Sequence, residues 1–334
     1  MSFRWYLVLL GLGVGAAALQ QNVRITGWEH LRFERRFDGS FSGPRAASLL
    51  DADPTAPRLP QAVDTAAPST GIPNAPTANP VKIATWYVEP LARAGMQSSE
   101  MRQRRVELIH QFEALVLTGL HSVDESRLQT LIGELNARGA LYDFLLSPPT
   151  GPFGRGEQMA LVYDSTRVRP VGRQHYMVVD HNQMFSFDPW VVWMESVASP
   201  QERPWTFTVV VVRLDRERLA EELAPLPHLL QTVRGDGRQE DDVLLVGHFG
   251  APAPTLDALF RNAGYQCAVH ELPTDVTGQR ADDHILLPMS QTAPEWTGRS
   301  GVLDFMRAFN LSSSQASEIS PNLPVWAEFR GQEG

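Results

Sequence analysis

Hydrophobic positions along the chain fall into short blocks whose period changes from one block to the next. The blocks "VKIATWYV" (81–88), "ALVLTGL" (114–120), "QMALVYD" (158–164), "WVVWMES" (190–196), "FTVVVVRL" (207–214), "DDVLLVG" (241–247) and "DHILLPM" (283–289) are nearly continuous apolar runs. Each is bounded by Gly, Pro, Asp or Ser, so each predicts a buried strand. "ALYDFLL" (140–146), "RVRPVG" (167–172) and "PVWAEF" (324–329) read as further strands, and "HNQMFSFDP" (181–189) is loop punctuation between two of them. Other blocks have the helical period. Ser98 or Ser99 caps a helix through "EMRQRRVELIHQF", which presents Val106, Ile109 and Phe112 at helical spacing. "DESRLQTLIGELNARG" sets Leu128, Leu131, Ile132 and Leu135 on one face and ends at Gly139. Helices are also predicted at 217–233, 255–264 and 301–309. Hairpins mixed with helical crossovers predict a four-layer α/β sandwich over 80–331, two mixed sheets face to face with helices outside.

The pattern differs before residue 80. An uncharged run from Trp5 to Leu19 follows Arg4 and is shorter than the ~20 residues a spanning helix needs, so 1–22 read as a signal peptide or a short membrane anchor, with Ala16, Ala17 and Ala18 as small residues for cleavage. Residues 23–79 include the Pro/Ala/Ser/Thr-rich "DADPTAPRLP" and "PSTGIPNAPTANP", which bury too little apolar surface to offset ordering entropy and read as a mostly disordered linker. Export, or tethering by the N-terminus, is the expected location. The chain shows no internal repeat.

Composition narrows the function classes. With 334 residues and 43% hydrophobic positions, the chain can bury a sizeable core. A formal net charge of -9 opposes non-specific attraction to polyanions and disfavours nucleic acid as a partner. One cysteine, Cys267 in "GYQCAV", excludes an intrachain disulfide and a cysteine metal cluster, and reads as a small buried hydrophobe.

Several spaced motifs occur in an order that resembles the endonuclease/exonuclease/phosphatase family, the deoxyribonuclease I-like fold. They are "KIATWYV", "LVLTGLHSVDESRLQTLIGEL", "GEQMALVYDSTRV", "FSFDP", "DDVLLVGHFGAP", "DDHILLP" and "EISPNLPVWAEF", and together they cover Val81 to Arg330. The resemblance implies metal-dependent phosphodiester or phosphate-ester hydrolysis at the strand tips, and at those tips this chain departs from the family. The Asn that ends the first strand is Tyr87, and the metal-binding Glu of the second is Ser122. An Arg before Pro189 is Phe187, and the His after "FTVVVV" is Arg213. The Asp and Asn of the central tip are His248 and Gly250, and the closing Asp-His pair is Pro321-Asn322 after Ser320. Only Glu157 and Asp283 match.

The implied chemistry needs the missing groups. Mg²⁺ takes hard oxygen ligands, usually with a carboxylate, to polarise a phosphoryl oxygen and orient the nucleophile. Ser122 and His248 are poor replacements, Arg213 stays protonated, and Asn322 does not titrate. The expectation is therefore a pseudoenzyme: a non-catalytic binding or scaffold domain without cofactor, whose partner is a protein or an anionic ligand met by Arg213, His248 and His284. The alternative is a phosphodiesterase, nuclease or phosphatase with a rearranged site, in which Glu157, Asp283, His248 and His284 gather around a different divalent metal, Mg or Mn, or Zn as a His/carboxylate mixture allows, with Glu157 and Asp283 as the residual metal candidates. Structural roles are expected as well. Glu157 and Asp283 cap strand ends, His284 is a hydrogen-bonded surface histidine, and Trp86, Tyr87 and Phe187 fill the vacated space or floor a ligand site.

Overall fold

A computed structural model describes residues 80–88, 99–121, 125–152, 156–198 and 203–334. The apolar N-terminal run, the Pro-rich linker, Ser98 and Ser122 lie outside the described residues. Among the described residues, no helix is long and apolar enough to cross a membrane.

The first half of the domain builds one sheet. β1 (Pro80–Tyr87) crosses through α1 (Ser99–Ile109) to the parallel β2 (Ala114–His121), and α2 (Glu125–Asn136) leads to β3 (Tyr142–Leu146) and β4 (Glu157–Asp164). The second sheet follows with β5 (Val168–Met177), β6 (Trp190–Ser196) and β7 (Thr206–Arg213). α3 (Leu219–Leu223) and α4 (Leu226–Arg234) then lead to β8 (Val243–His248), parallel to β7. α5 (Ala253–Phe260), β9 (Tyr265–Cys267) and β10 (Asp283–Pro288) complete that sheet. The chain returns to the first sheet through β11 (Trp296–Val302), α6 (Phe305–Phe309), α7 (Ser313–Ile319) and β12 (Val325–Arg330). The strand orders are β11-β12-β1-β2-β4-β3 and β5-β6-β7-β8-β10-β9.

The continuous apolar runs are explained by burial on both faces. In β1, Val81 and Ile83 face the opposing sheet, while Ala84 and Trp86 pack under the helices of their own side. In β8, Leu244 and Val246 enter the layer between the sheets, and Val243 and Leu245 face α4 and α5. Three apolar layers thus separate four layers of secondary structure, the architecture that the sequence predicts.

Some boundaries move. The helix expected over 217–233 is a 3₁₀ turn and two helices that break at Ala224 and Pro225, because proline lacks the N–H that a continuous helix needs at that point. The helix expected over 301–309 is only Phe305–Phe309. Asp304 caps it by accepting from the Arg307 N–H, and Gly301 and Val302 belong to β11. β11 and β9 escape the pattern because "WTGRSGV" is a polar edge and Tyr265–Cys267 is three residues long. α7 starts at a capping box of Ser312 and Gln315.

Candidate functional site at the strand tips

Six strand ends converge at one end of the sandwich. β1 ends at Tyr87, β4 starts at Glu157, β7 ends at Arg213, β8 ends at His248, β10 starts at Asp283, and Asn322 precedes β12. Register fixes the central trio: His248 pairs with Arg213 on its parallel side and with Asp283 on its antiparallel side. Two glycines shape the tip. Gly247 sits at φ 144°, and a Cβ there would lie 2.0 Å from the Val212 carbonyl oxygen, so only glycine lets β8 pass so close to β7. Gly250 adopts φ 66° with open space around it. That left-handed conformation suits Gly and Asn alike, so the tip keeps its backbone while losing the side chain that the family resemblance implies.

The polar groups of the tips are engaged with one another. Arg213 Nε donates to Glu157 Oε2 at 3.2 Å, and Arg213 also donates to the Leu214 carbonyl. Its guanidinium lies 4.8 Å from the Phe187 ring centre and 5.4 Å from that of Tyr87. The Tyr87 ring in turn lies 4.4 Å from the His248 imidazole, tilted by 32°. His248 Nδ1 is 3.3 Å from Asp283 Oδ1, and the Asn322 side-chain amide donates to Asp283 Oδ2. The Asn322 carbonyl accepts from Trp86 Nε1 at 2.6 Å. The Ser320 hydroxyl donates to the Tyr87 carbonyl at 2.9 Å and accepts from the Asn322 N–H at 3.1 Å. Asp283 is fully buried.

Arg213, His248, Glu157, Asp283 and Asn322 therefore share one site, with Tyr87 and Phe187 as its aromatic wall. Pro321 contributes backbone, accepting from the Val276 N–H at 2.9 Å. The last residue of β2, His121, pairs with Glu157. His284 departs from expectation. It is buried rather than at the surface, and alternation along β10 turns it away from Asp283 toward Phe249, whose ring centre is 5.9 Å away. Its Nε2 lies 2.9 Å from the Ala251 and Ala281 carbonyls, so that nitrogen carries the proton, and the bare Nδ1 has no hydrogen-bond partner. Burial lowers its pKa. The structure thus joins Arg213 to His248 and leaves His284 out of the cleft. Trp86, read from sequence as space filling, also holds the Asn322 backbone; its place beside Tyr87 was the available signal.

The donor set does not fit a hard dication. One carboxylate is answered by the Arg213 guanidinium, whose fixed positive charge repels a metal ion, and the side chains on the other, His248 and Asn322, bring no second carboxylate to it.

No family model matches the chain. Among curated proteins, deoxyribonuclease gamma of Mus musculus is 23% identical over 271 residues, covering 75% of this chain and 84% of its own length. Deoxyribonuclease-1-like 1 of Sus scrofa is 24% identical over 260 residues, covering 74% and 80%. Among solved structures, a functionally unknown conserved protein from Enterococcus faecalis V583 matches with TM-score 0.51 and 17% identity, over 75% of this chain and 100% of that one. The human Nocturnin catalytic domain with bound sulfate matches with TM-score 0.50 and 14% identity, over 76% and 95%. The class is thus a two-sheet α/β sandwich, with the candidate site at its strand tips. Within that class, the fold is the deoxyribonuclease I-like fold of the endonuclease/exonuclease/phosphatase family, and the chain is similar to deoxyribonucleases along most of their length.

Proposed function

We propose that this domain is a non-catalytic member of its fold family, a binding or scaffold domain whose strand-tip cleft takes a partner protein or an anionic ligand and holds no catalytic dication. The observation that carries the reading is the Arg213–Glu157 ion pair between Tyr87 and Phe187. It puts a permanent cation where hydrolysis would call for a metal and a titrating base. Asp283 is spent in the same way, on His248 and Asn322. An acidic protein side chain or a small anion can compete with Glu157 for Arg213, with His248 as a second donor. The N-terminal run and linker support export or tethering, with the domain over 80–331 held away from the membrane.

A second reading has one observation in its favour. His248 beside Asp283 has the form of an acid–base dyad, and the curated relatives are deoxyribonucleases. It makes the chain a phosphodiesterase, nuclease or phosphatase with a rearranged site, using Mg or Mn. Assays on plasmid DNA, RNA, a phosphoinositide and an aryl phosphodiester across several divalent metals separate the two. The expected result is no turnover above background, in the native chain and in His248→Asp alike, because groups that act as a unit are not restored one at a time. Metal-dependent turnover that Glu157→Ala/Asp283→Ala abolishes would establish the second reading.

A further inference from the structure

The opposite end of the sandwich gathers four carboxylates from three places in the chain. Glu240 and Asp242 precede β8, Glu295 precedes β11, and Glu333 follows β12. Carboxylate oxygens of Asp242, Glu295 and Glu333 lie within 4.8 Å of one another, and Asp242 and Glu295 are 2% and 3% exposed. We propose that these three residues form a divalent-cation site, best suited to calcium, which ties the segment after β12 to the starts of β8 and β11.

An acidic cluster alone would not carry this. The second observation is an orphan: Glu295 Oε2 is buried without a hydrogen-bond partner, while Oε1 accepts from the Gly334 N–H at 2.7 Å. A buried carboxylate oxygen without a partner is costly in an apolar setting, and a cation at the cluster removes that cost. The other two carboxylates are oriented from behind, as metal ligands commonly are. Asp242 accepts from the Thr292 hydroxyl at 2.5 Å and from Trp205 Nε1 at 2.7 Å, and Glu333 accepts from the Thr206 N–H at 3.3 Å.

The charge count points the same way: three carboxylates meet at one place, and a dication answers them together. All three donors are hard oxygens, which excludes a preference for soft metals. Oxygens within 4.8 Å of one another fit around calcium, whose ligands stand about 2.3–2.6 Å from the ion, in irregular sets completed by water.

Trp205 supplies the readout, because its indole bonds a proposed ligand. Full-length protein stripped with chelator is titrated with Tb³⁺, exciting tryptophan and recording terbium emission, and Ca²⁺ is then added as competitor. Sensitised emission that Ca²⁺ displaces is expected, together with a rise in Tm of about 5 °C at Ca²⁺ a hundredfold above Kd. Both effects should vanish in Glu295→Gln and in Glu333→Gln; the second lies in the tail and leaves the core packing intact if the first fails to fold. Both should persist in Glu157→Ala/Asp283→Ala. Absence of emission and of a Ca²⁺-dependent Tm in the native chain would overturn the site. So would effects that survive in Glu333→Gln. Loss in the Glu157→Ala/Asp283→Ala variant instead would assign the cation to the strand tips, overturning this site and reopening the metal-dependent reading.

Discussion

The two ends of the sandwich solve the same electrostatic problem in different ways. At the strand tips, Glu157 meets Arg213 and Asp283 meets His248 and Asn322, so each buried carboxylate is answered by a protein group. At the other end, Asp242, Glu295 and Glu333 converge and one oxygen has no partner. A carboxylate buried with a fixed partner is a structural element, whereas carboxylates buried without one call for a cation or a proton from outside. The end that the family resemblance marks for metal chemistry is thus the self-satisfied end, and the unbalanced charge sits at the far side.

The largest effect is expected where the tip backbone leaves no room. Gly247→Ala sets a methyl against the Val212 carbonyl oxygen at a φ that alanine avoids, so β7 and β8 must separate. Denaturant unfolding should show a loss of about 4 kcal/mol or a failure to fold. A loss below about 1 kcal/mol would mean that the tip is pliable and its pairings adjustable, which would break the contrast.

Arg213→Met tests the pairing itself. It leaves Glu157, whose side chain is 12% exposed, without its cation, and should cost about 2–3 kcal/mol, less than a fully buried pair because both groups keep some solvent. Glu157→Gln added to Arg213→Met should recover part of that loss, with a coupling of about 1–2 kcal/mol in a double-mutant cycle. Additive losses would show that the tip is not self-satisfied.

The gentlest test is pH, read in chelator so that bound cations do not intervene. Asp242 has a folded pKa of about 7, above its unfolded value of 3.8, so its contribution is fully present below pH ~4 and is lost as pH rises through 7. Glu240, Glu295 and Glu333 lie around it, and Glu333, with Arg203 beside it acting in the opposite sense, shifts in the same direction. His284 runs the other way. Its folded pKa is depressed below 6.5 despite Asp282 and Asp283, so its contribution is present above 6.5 and is lost as pH falls. Asp242→Asn should therefore remove the part of the Tm that rises on going from pH 8 to 5, and His284→Gln the part that falls below pH 6.5. The same slope in both variants would merge the two ends into one titrating unit.

The strand runs were legible because burial on both faces leaves no polar alternation; "VVVV" before Arg213 has nowhere to sit but the middle of a sheet. Edges were less legible. β11 carries Thr297, Arg299 and Ser300, half-solvated residues whose strand state is set by pairing with β12, not by their own pattern. At the site, the motif positions gave the residues but not their partners. Nothing in local sequence says that Arg213 reaches Glu157, 56 positions away, or that Asn322 reaches Asp283, 39 positions away. His284 was misplaced for a related reason: adjacency to Asp283 suggests a shared site, while the two-residue period of a strand sends neighbours to opposite faces.

By itself, the sequence determined every strand but β9 and β11 and their packing into two buried sheets, because hydrophobic period and turn chemistry are local properties that burial reads directly, while the resemblance of its motifs marked the residues at the tips. The tertiary structure alone decided which charges are answered and which are not. Charge compensation depends on distances between residues far apart in the chain, so Glu157, Asp283, Asp242 and Glu295 are four similar carboxylates in sequence, and only the fold gives the first a cationic partner, gives the next two hydrogen-bond donors on both oxygens, and leaves an oxygen of the last without one.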